Sequence, residues 1–96
     1  MMIPTKLQLG AHIWTVKHIH GMITAEDGDK CRGLCDYNTL TMSVNVDQVS
    51  SMVMHTFIHE LLHAALWSLG SDLADNEGFV DGLGGFLAQA ILSAQE

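Results

Sequence analysis

The chain has little positive charge, since four Lys and Arg residues stand against eleven Asp and Glu residues. A surface of this sign repels nucleic-acid phosphates, and no cluster of basic residues offsets that repulsion locally. Long apolar runs are absent as well, because none approaches the ~20 residues that a membrane span requires. We therefore expect neither a nucleic acid nor a membrane among the partners of this protein.

Cysteine is also scarce, and Cys31 and Cys35 are the only two. The first residues have neither the basic start nor the ~7 to 15 residue apolar core of a secretory signal, so we expect a cytoplasmic protein. In that setting, two reduced thiols with a minor structural role are the favoured interpretation. A local disulfide and metal ligation are the alternatives.

The residues that are present predict one small domain. A chain of 96 residues, taken as the single domain 1-96, buries roughly 60 to 70% of the surface that its unfolded form exposes. β-forming residues in 6–9 and 13–20 predict one or two strands that break near Gly10. Glycine and aspartate dominate 26–36, which predicts a loop.

A further strand and a long helix are predicted next. Strict alternation of apolar and polar residues from Leu40 to Val46 is typical of a strand with one buried face. A helix then begins near Asp47 or Ser50, either of which can cap it. The helix ends near Leu69, because Gly70 suits the left-handed residue of a helix terminus. Apolar residues cover more than one face of this helix, so we expect it to be central and buried.

A second helix is predicted from about Asn76 to Leu92, and Asp75 can cap it. Its core side is predicted to carry Val80, Leu83, Leu87 and Ile91. Three glycines recur in its interior at helical spacing, and each costs about 1 kcal/mol relative to alanine. We therefore expect the backbone of the first helix to pack closely against Gly78, Gly82 and Gly85.

The first helix carries the segment His59-Glu60-Leu61-Leu62-His63. Histidines at i and i+4 project from one face of a helix, about one turn apart, which suits two ligands of one Zn²⁺. Glu60 cannot easily ligate the same ion from the next position, but it can reach a metal-bound water as a general base. Short motifs of this kind also arise by chance. In a helix that is apolar on most sides, however, such polar groups are costly to bury without a metal or a partner.

A catalytic zinc usually takes three protein ligands and leaves the fourth position for water. No His or Cys follows His63, so the candidates for the third ligand are Asp72, Asp75, Glu77, Asp81 and Glu96. Glu77 opens the second helix, and Asp81 follows one turn later on the same face. The helix dipole alone also favours an acidic first turn, which is the alternative explanation for both carboxylates.

Residues 50–92 resemble the gluzincins, the thermolysin-like branch of the zincin metallopeptidases. In that family a helix with His-Glu-x-x-His is followed by a helix with Glu-x-x-x-Asp. The resemblance is carried by His59, Glu60, His63, Glu77 and Asp81, and Asn76 agrees with it. The interval of 13 residues between His63 and Glu77 is similar to that of minimal gluzincin domains. Such compact forms also occur among phage-encoded proteins. The resemblance therefore allows a phage origin for this chain, with synthesis in a bacterial host.

The resemblance implies an α+β fold, a minimal zincin in which a small mixed β-sheet packs on the two helices. It implies one Zn²⁺ per chain, held by His59, His63 and Glu77, with Glu60 as the catalytic general base. Asp81 then accepts the outer N–H of a ligand histidine. A peptide or protein substrate is expected to pair with an edge strand that contains Leu40, Thr41, Met42, Ser43 and Val44.

Thermolysin-like enzymes supply Tyr or His donors to the oxyanion from chain beyond the third ligand, and this chain has none there. Tyr37 is therefore the candidate oxyanion stabiliser, and the remaining histidines are candidates in principle: His12, His18, His20 and His55. Loss of one such donor costs ~10² to 10³ in rate, so slow or narrowly specific activity is expected. On a strand, His18 and His20 share one face, which allows a second metal site with Cys31 or Cys35.

We therefore predict a metallopeptidase that hydrolyses peptide bonds, with the zinc-bound water activated by Glu60. The alternative is a zinc-stabilised module that binds a peptide or protein with little or no hydrolysis. Glu60 favours the enzyme, because a structural zinc site needs no general base. A third interpretation is an autoinhibited form in which Cys35, Asp36 or a chain terminus occupies the position of the water.

Overall fold

The computed structural model describes residues 3–94 and has the predicted α+β fold. Its elements follow one another as β1 (Lys6–Leu9), β2 (His12–Ile19), β3 (Ile23–Thr24), β4 (Lys30–Cys31), β5 (Gly33–Asp36), β6 (Thr41–Asn45), α1 (Ser50–Ser68) and α2 (Glu77–Ser93). A short 3-10 helix, Asp72–Asp75, connects α1 to α2. Neither α1 nor α2 is long and apolar enough to cross a membrane.

Four of the strands form one mixed sheet in the order β1-β2-β6-β5. β2 and β6 are parallel, whereas each outer strand is antiparallel to its neighbour. β3 and β4 pair separately as a two-stranded sheet. The strands predicted at 6–9 and 13–20 are confirmed to within one residue. Gly10 lies between them with a φ of 60°, a conformation that glycine adopts without steric cost.

The hydrophobic core lies between this sheet and α1. The central strands contribute four buried side chains, Trp14, Val16, Met42 and Val44. From α1, the core receives Met54, Phe57, Ile58 and Ala64. The helix also packs against α2, so it lies between the sheet and the second helix. This position confirms the expectation of a central helix and explains why its apolar residues cover more than one face.

The prediction that 40–46 forms an edge strand is wrong. β6 pairs with β2 on one side and with β5 on the other, so its backbone is already hydrogen-bonded in both directions. The five residues expected to bind a substrate peptide therefore present no free edge: Leu40, Thr41, Met42, Ser43 and Val44. Alternation correctly predicted the buried face of the strand, but it carries no information on how many neighbours a strand has.

The loop predicted at 26–36 is wrong in its second half. Lys30–Cys31 and Gly33–Asp36 are strands, and Gly33–Asp36 is the true edge of the main sheet next to α1. Glycine and aspartate have low strand propensity, yet pairing with β6 overrides that local preference. The edge of the sheet near the helices is therefore β5.

The helix termini agree closely with the sequence, with two differences in capping. α1 ends at Ser68 and Gly70 has a φ of 70°, as predicted for a left-handed terminus. Its N-cap is Val49, which makes no side-chain hydrogen bond, so neither Asp47 nor Ser50 caps it. α2 is capped one residue later than expected, because the Asn76 side chain accepts from the Phe79 N–H.

The close approach of the two helices is at Gly84, not at the three glycines that were expected to form it. A Cβ on Gly84 would lie 3.6 Å from the Cα of His59. A Cβ on Gly82 would meet nothing within 4 Å, and one on Gly78 would meet only the side chain of Asn76. On the same face of α2, Val80 is fully buried, whereas Leu87 is exposed rather than facing the core as predicted.

Candidate metal centre

Three side chains converge where α1 meets the start of α2. His59, His63 and Glu77 each offer one donor atom, and these atoms all lie within 4.8 Å of one another. The two Nε2 atoms of His59 and His63 are 3.2 Å apart. Glu77 Oε2 is 3.2 Å from His59 Nε2, and Glu77 Oε1 is 2.9 Å from His63 Nε2. The structure therefore brings together the three predicted metal ligands.

These separations are slightly shorter than those of donors around one tetrahedral ion, and Glu77 faces the two histidines with different oxygens. Zinc binds imidazole nitrogen and carboxylate oxygen at about 2.0 to 2.2 Å, so adjacent donors around one tetrahedral ion are about 3.3 to 3.5 Å apart. The shortest donor pairs here are at 2.9, 3.2 and 3.2 Å. Two imidazoles and one carboxylate also match the chemistry of an open zinc site that keeps one position for another ligand.

The outer ring nitrogen of each histidine faces an acceptor. His63 Nδ1 lies 2.6 Å from the backbone carbonyl oxygen of Ala74, and His59 Nδ1 lies 3.5 Å from Asp81 Oδ1. A carbonyl or carboxylate oxygen only accepts, so each outer Nδ1 is placed to carry a proton, and in a neutral ring protonated there the Nε2 presents a lone pair. Two lone pairs and the Glu77 carboxylate then face one another, an arrangement that a positive ion stabilises.

The local sequence sets this geometry. His59 and His63 are one turn apart on α1, and α2 returns antiparallel past them because the connection is a single short 3-10 helix. That connection also places the carbonyl of Ala74 against His63. The Asn76 cap starts α2 at Glu77, so its carboxylate lies at the first turn, beside both imidazoles.

Glu60 lies beside this group and is buried, with 7% of its surface exposed. The pKa of its carboxyl is raised to about 7, mainly by burial; the proximity of His63 lowers the pKa and the charge of Glu77 raises it. β5 passes directly over this carboxylate at Gly33. A Cβ on Gly33 would lie 2.8 Å from Glu60 Oε2 and 2.7 Å from Thr56 Cγ2, so any other residue there would force these side chains to shift.

A cleft of ≈ 810 Å³ contains the three converging side chains together with Glu60. Tyr37, the candidate oxyanion stabiliser, also lines it. The Tyr37 ring stacks on Trp67 with centroids 4.9 Å apart, which fixes its orientation. Burial raises the pKa of the Tyr37 phenol to about 12, so it stays protonated and can donate a hydrogen bond at neutral pH.

The second metal site considered for His18 and His20 does not form among the described residues. His18 Nε2 is 3.0 Å from the carbonyl oxygen of Pro4, and His20 Nδ1 is 2.7 Å from Asp47 Oδ1. Both cysteines are free thiols, and neither belongs to a cluster of metal-binding side chains within residues 3–94. His12 is exposed on β2.

Cys35 and Asp36, two of the occupants considered for an autoinhibited form, make other hydrogen bonds. The Cys35 thiol donates to the backbone carbonyl of Glu60, and Asp36 accepts from the N–H groups of Asn38 and Thr39. Glu96, one candidate for the third ligand, and the chain termini lie outside the described residues. Asp72 and Asp75, two other candidates, do not join the donor group.

Sequence reasoning missed Gly33 and Ala74. The carbonyl of Ala74 leaves no signature, because every residue has one. Gly33 did leave a signal, since a glycine inside a strand often marks a close approach to a neighbouring group. That signal could be read only after 33–36 had been recognised as a strand.

Comparison with known proteins finds no matching family model, no matching curated protein and no matching solved structure.

Proposed function

We propose that this chain is a zinc-dependent metallopeptidase that hydrolyses peptide bonds. The observation that carries the proposal is the placement of Glu60, a buried carboxylate, next to three converging metal-binding side chains in an open cleft. A metal site with a purely structural role needs no neighbouring base and normally has four protein ligands. A three-donor group beside a carboxylate with a raised pKa favours catalysis.

His59, His63 and Glu77 would hold one Zn²⁺ per chain, and the 2.6 Å contact with the Ala74 carbonyl keeps His63 in the required tautomer. When bound, Zn²⁺ polarises a carbonyl oxygen and lowers the pKa of a water ligand to ~7. The Glu77 side chain is 72% exposed, so the group opens to the cleft rather than being closed inside the protein.

Glu60 acts as the general base in this proposal. A catalytic base works best when its pKa lies near the operating pH, and burial raises the pKa of Glu60 to about 7. Its carboxylate accepts a proton from the attacking water and later returns that proton to the departing amine nitrogen. One residue can make both transfers, because the amine leaves from the same carbonyl carbon that the water attacks.

The substrate peptide would lie along β5, which replaces the strand that the sequence indicated. β5 is the outermost strand of the four-stranded sheet on the side of the cleft, and its residues Gly33, Leu34 and Cys35 line that cleft. An extended peptide can add to such an edge through backbone hydrogen bonds. Gly33 brings the edge directly over Glu60, so a paired peptide would pass the general base.

Tyr37 is the proposed donor to the oxyanion. It is the only tyrosine, and it stays neutral at physiological pH because burial raises the pKa of its phenol to about 12. Stacking on Trp67 holds its ring in place. Because a single phenol takes the role that several donors share in thermolysin-like enzymes, we expect modest turnover.

The decisive experiment compares Glu60→Gln with Glu26→Gln, a matched change of an exposed carboxylate. Glu60→Gln should keep one zinc per chain but lose peptide hydrolysis by at least ~10² to 10⁴, because an amide cannot accept a proton. Glu26→Gln should cleave a peptide library as the wild type does. If the wild type binds peptides and zinc but cuts nothing, the chain is instead a zinc-stabilised binding module.

Metal analysis tests the cofactor separately. The purified chain should take up one Zn²⁺, and Cys31→Ser and Cys35→Ser should leave that stoichiometry unchanged, because neither thiol belongs to the donor group. A chain that takes up no zinc when Zn²⁺ is added contradicts the proposal.

A further inference from the structure

A third histidine, His55, lies on the same face of α1 as the two proposed ligands. His55, His59 and His63 are each four residues apart, so they form one stripe along the helix. Facing this stripe, α2 presents Glu77 and then Asp81, also four residues apart. His63 contacts Glu77, and His59 contacts both Glu77 and Asp81. His55 lies one turn before His59 and faces Asp81.

The Nε2 atom of His55 is buried and has no hydrogen-bond partner in the described part of the chain. A buried polar nitrogen without a partner is costly, so its surroundings need an explanation. An acceptor lies just beyond hydrogen-bond range, because Asp81 Oδ1 is 3.7 Å from this nitrogen. A shift of a few tenths of an ångström would close the hydrogen bond.

α2 leaves room for the His55 ring at Gly85. Four residues after Asp81, α2 carries Gly85 in place of another acidic residue. A Cβ on Gly85 would lie 3.8 Å from His55 Nε2, so the ring fills the space that a longer side chain would occupy. Gly85 offers no side-chain acceptor, and the carboxylate of Asp81 lies 3.7 Å from His55 Nε2.

The same oxygen of Asp81 faces both histidines, at 3.5 Å from His59 Nδ1 and 3.7 Å from His55 Nε2. The Asp81 side chain is 67% exposed, so solvent competes for its carboxylate and one hydrogen bond holds it poorly. A second N–H donor from the helix that carries His59 restricts the carboxylate to the position where it accepts from His59.

We propose that His55 is a positioning residue for the metal centre, which holds the Asp81 carboxylate against His59 Nδ1. His55 donates from Nε2 to Asp81, Asp81 accepts from His59, and His59 keeps its Nε2 lone pair directed at the donor group. This inference rests on the proposed function, because it assigns a role toward the zinc that His59, His63 and Glu77 would hold. His55 itself contacts neither metal nor substrate.

The test measures the dissociation constant for Zn²⁺ of the full chain, by competition with a chromophoric chelator. His55→Phe keeps a flat ring but removes the donor, and it should weaken zinc binding about tenfold, the lower end of the effects seen for outer partners of metal ligands. His55→Gln retains an N–H donor near the position of Nε2, and its affinity should stay close to that of the wild type.

A double-mutant cycle identifies the path of the effect. Asp81→Ala should weaken zinc binding by itself, and His55→Phe should then have no additional effect, because its only route is through Asp81. Thermal melts of the metal-free variants check folding. If His55→Phe does not fold, His55→Asn replaces it, since that amide is too short to reach Asp81 and should weaken zinc binding equally.

Three results would overturn the inference: unchanged zinc affinity in His55→Phe, equal losses in His55→Gln and His55→Phe, or an undiminished effect of His55→Phe in the Asp81→Ala background. Each leaves the proposed function intact, because the wild type still binds zinc. A wild-type chain that takes up no zinc overturns both the proposed function and this inference.

Discussion

The six histidines form two groups of three, one on α1 and one along β2 and its end. In each group the spacing places neighbouring rings on one face, at intervals of four on the helix and of two at His18 and His20. Only the helical group converges. His59 and His63 meet a carboxylate from α2, whereas His18 contacts a backbone carbonyl and His20 contacts the exposed Asp47.

The difference lies in what opposes each group. The side chain of His63 is 9% exposed and lies under the connection to α2, while that of His20 is 79% exposed. Water satisfies an exposed imidazole, so His20 gains little from a metal. Residue type and spacing therefore determine which face of a helix or strand carries the histidines. The side chains converge only where a second element, here α2, packs against that face.

The largest difference is expected between His63→Ala and His20→Ala. His63→Ala removes one of three donors and the hydrogen bond to Ala74, so zinc binding should be lost. His20→Ala should bind zinc as the wild type does. A ligand whose free concentration is about 100 times its dissociation constant adds ~2.7 kcal/mol to the free energy of unfolding. Zinc should therefore raise the melting temperature of the wild type and of His20→Ala, but not that of His63→Ala.

Calorimetry with and without Zn²⁺ measures both quantities. Equal zinc binding by His63→Ala and the wild type would show that the ion, if any, lies elsewhere. Loss of zinc in His20→Ala would instead place the metal on β2, which reverses the comparison.

The next difference concerns buried and exposed carboxylates in the metal-free protein. Burial raises the pKa of Glu60 from 4.5 to about 7, so the folded state holds a proton that the unfolded state has released between these pH values. The stability of the wild type should therefore fall across this range as pH rises, by about 3 kcal/mol at most. Glu60→Gln has no such proton and should lose this part of the pH dependence.

Chemical denaturation at pH 4, 6 and 8, with a chelator present, measures this effect. Glu26→Gln is the control, because Glu26 is exposed and its substitution should leave the pH dependence of stability as in the wild type. A parallel pH dependence of Glu60→Gln and the wild type would mean that Glu60 is ionised in the fold without cost.

Local patterns were sufficient to predict much of the helical half. Periodicity and Gly70 located α1, and four-residue spacing placed His59 and His63 on one face. The convergence with Glu77 could also be anticipated, because a short connection forces α2 back along α1. These inferences succeed because each depends on residues near one another in the chain. The roles of the residues as ligands and base stay predictions.

The sheet was harder to predict because strand order is a property of distant segments. The alternation of 41–45 is the same for a central strand as for an edge strand, so the edge was assigned to β6 and not to β5. The glycines of α2 show the same limit. Spacing indicated Gly78, Gly82 and Gly85, while the point of closest packing at Gly84 depends on where the helices cross.

A smaller difference is expected between Gly33→Ala and Gly82→Ala. At Gly33 the added Cβ would lie 2.7 Å from Thr56 Cγ2 and 2.8 Å from Glu60 Oε2. Relieving such overlap should cost about 1 to 3 kcal/mol of stability. At Gly82 the Cβ meets nothing within 4 Å, and alanine in a helix interior should stabilise by roughly 0.5 to 1 kcal/mol.

Urea denaturation of the two variants gives the sign of each effect. Opposite signs support the close contact between β5 and α1 at Glu60. Equal stability of Gly33→Ala and the wild type would mean that β5 does not approach Glu60, and the proposed path of the substrate along β5 would lose its basis.

The smallest difference concerns the two thiols. Burial raises the pKa of Cys35 to about 12, mainly because its thiol packs under α1, and it raises the pKa of Cys31 as well. Since the thiolate is the nucleophile, alkylation by iodoacetamide at pH 8 should be slow at both and slowest at Cys35. Mass spectrometry of tryptic peptides follows each rate separately. Unfolding in urea should equalise the two rates, and Zn²⁺ should change neither in the folded protein. Protection of either thiol by zinc would mean that sulfur, and not the histidine and glutamate group, binds the metal.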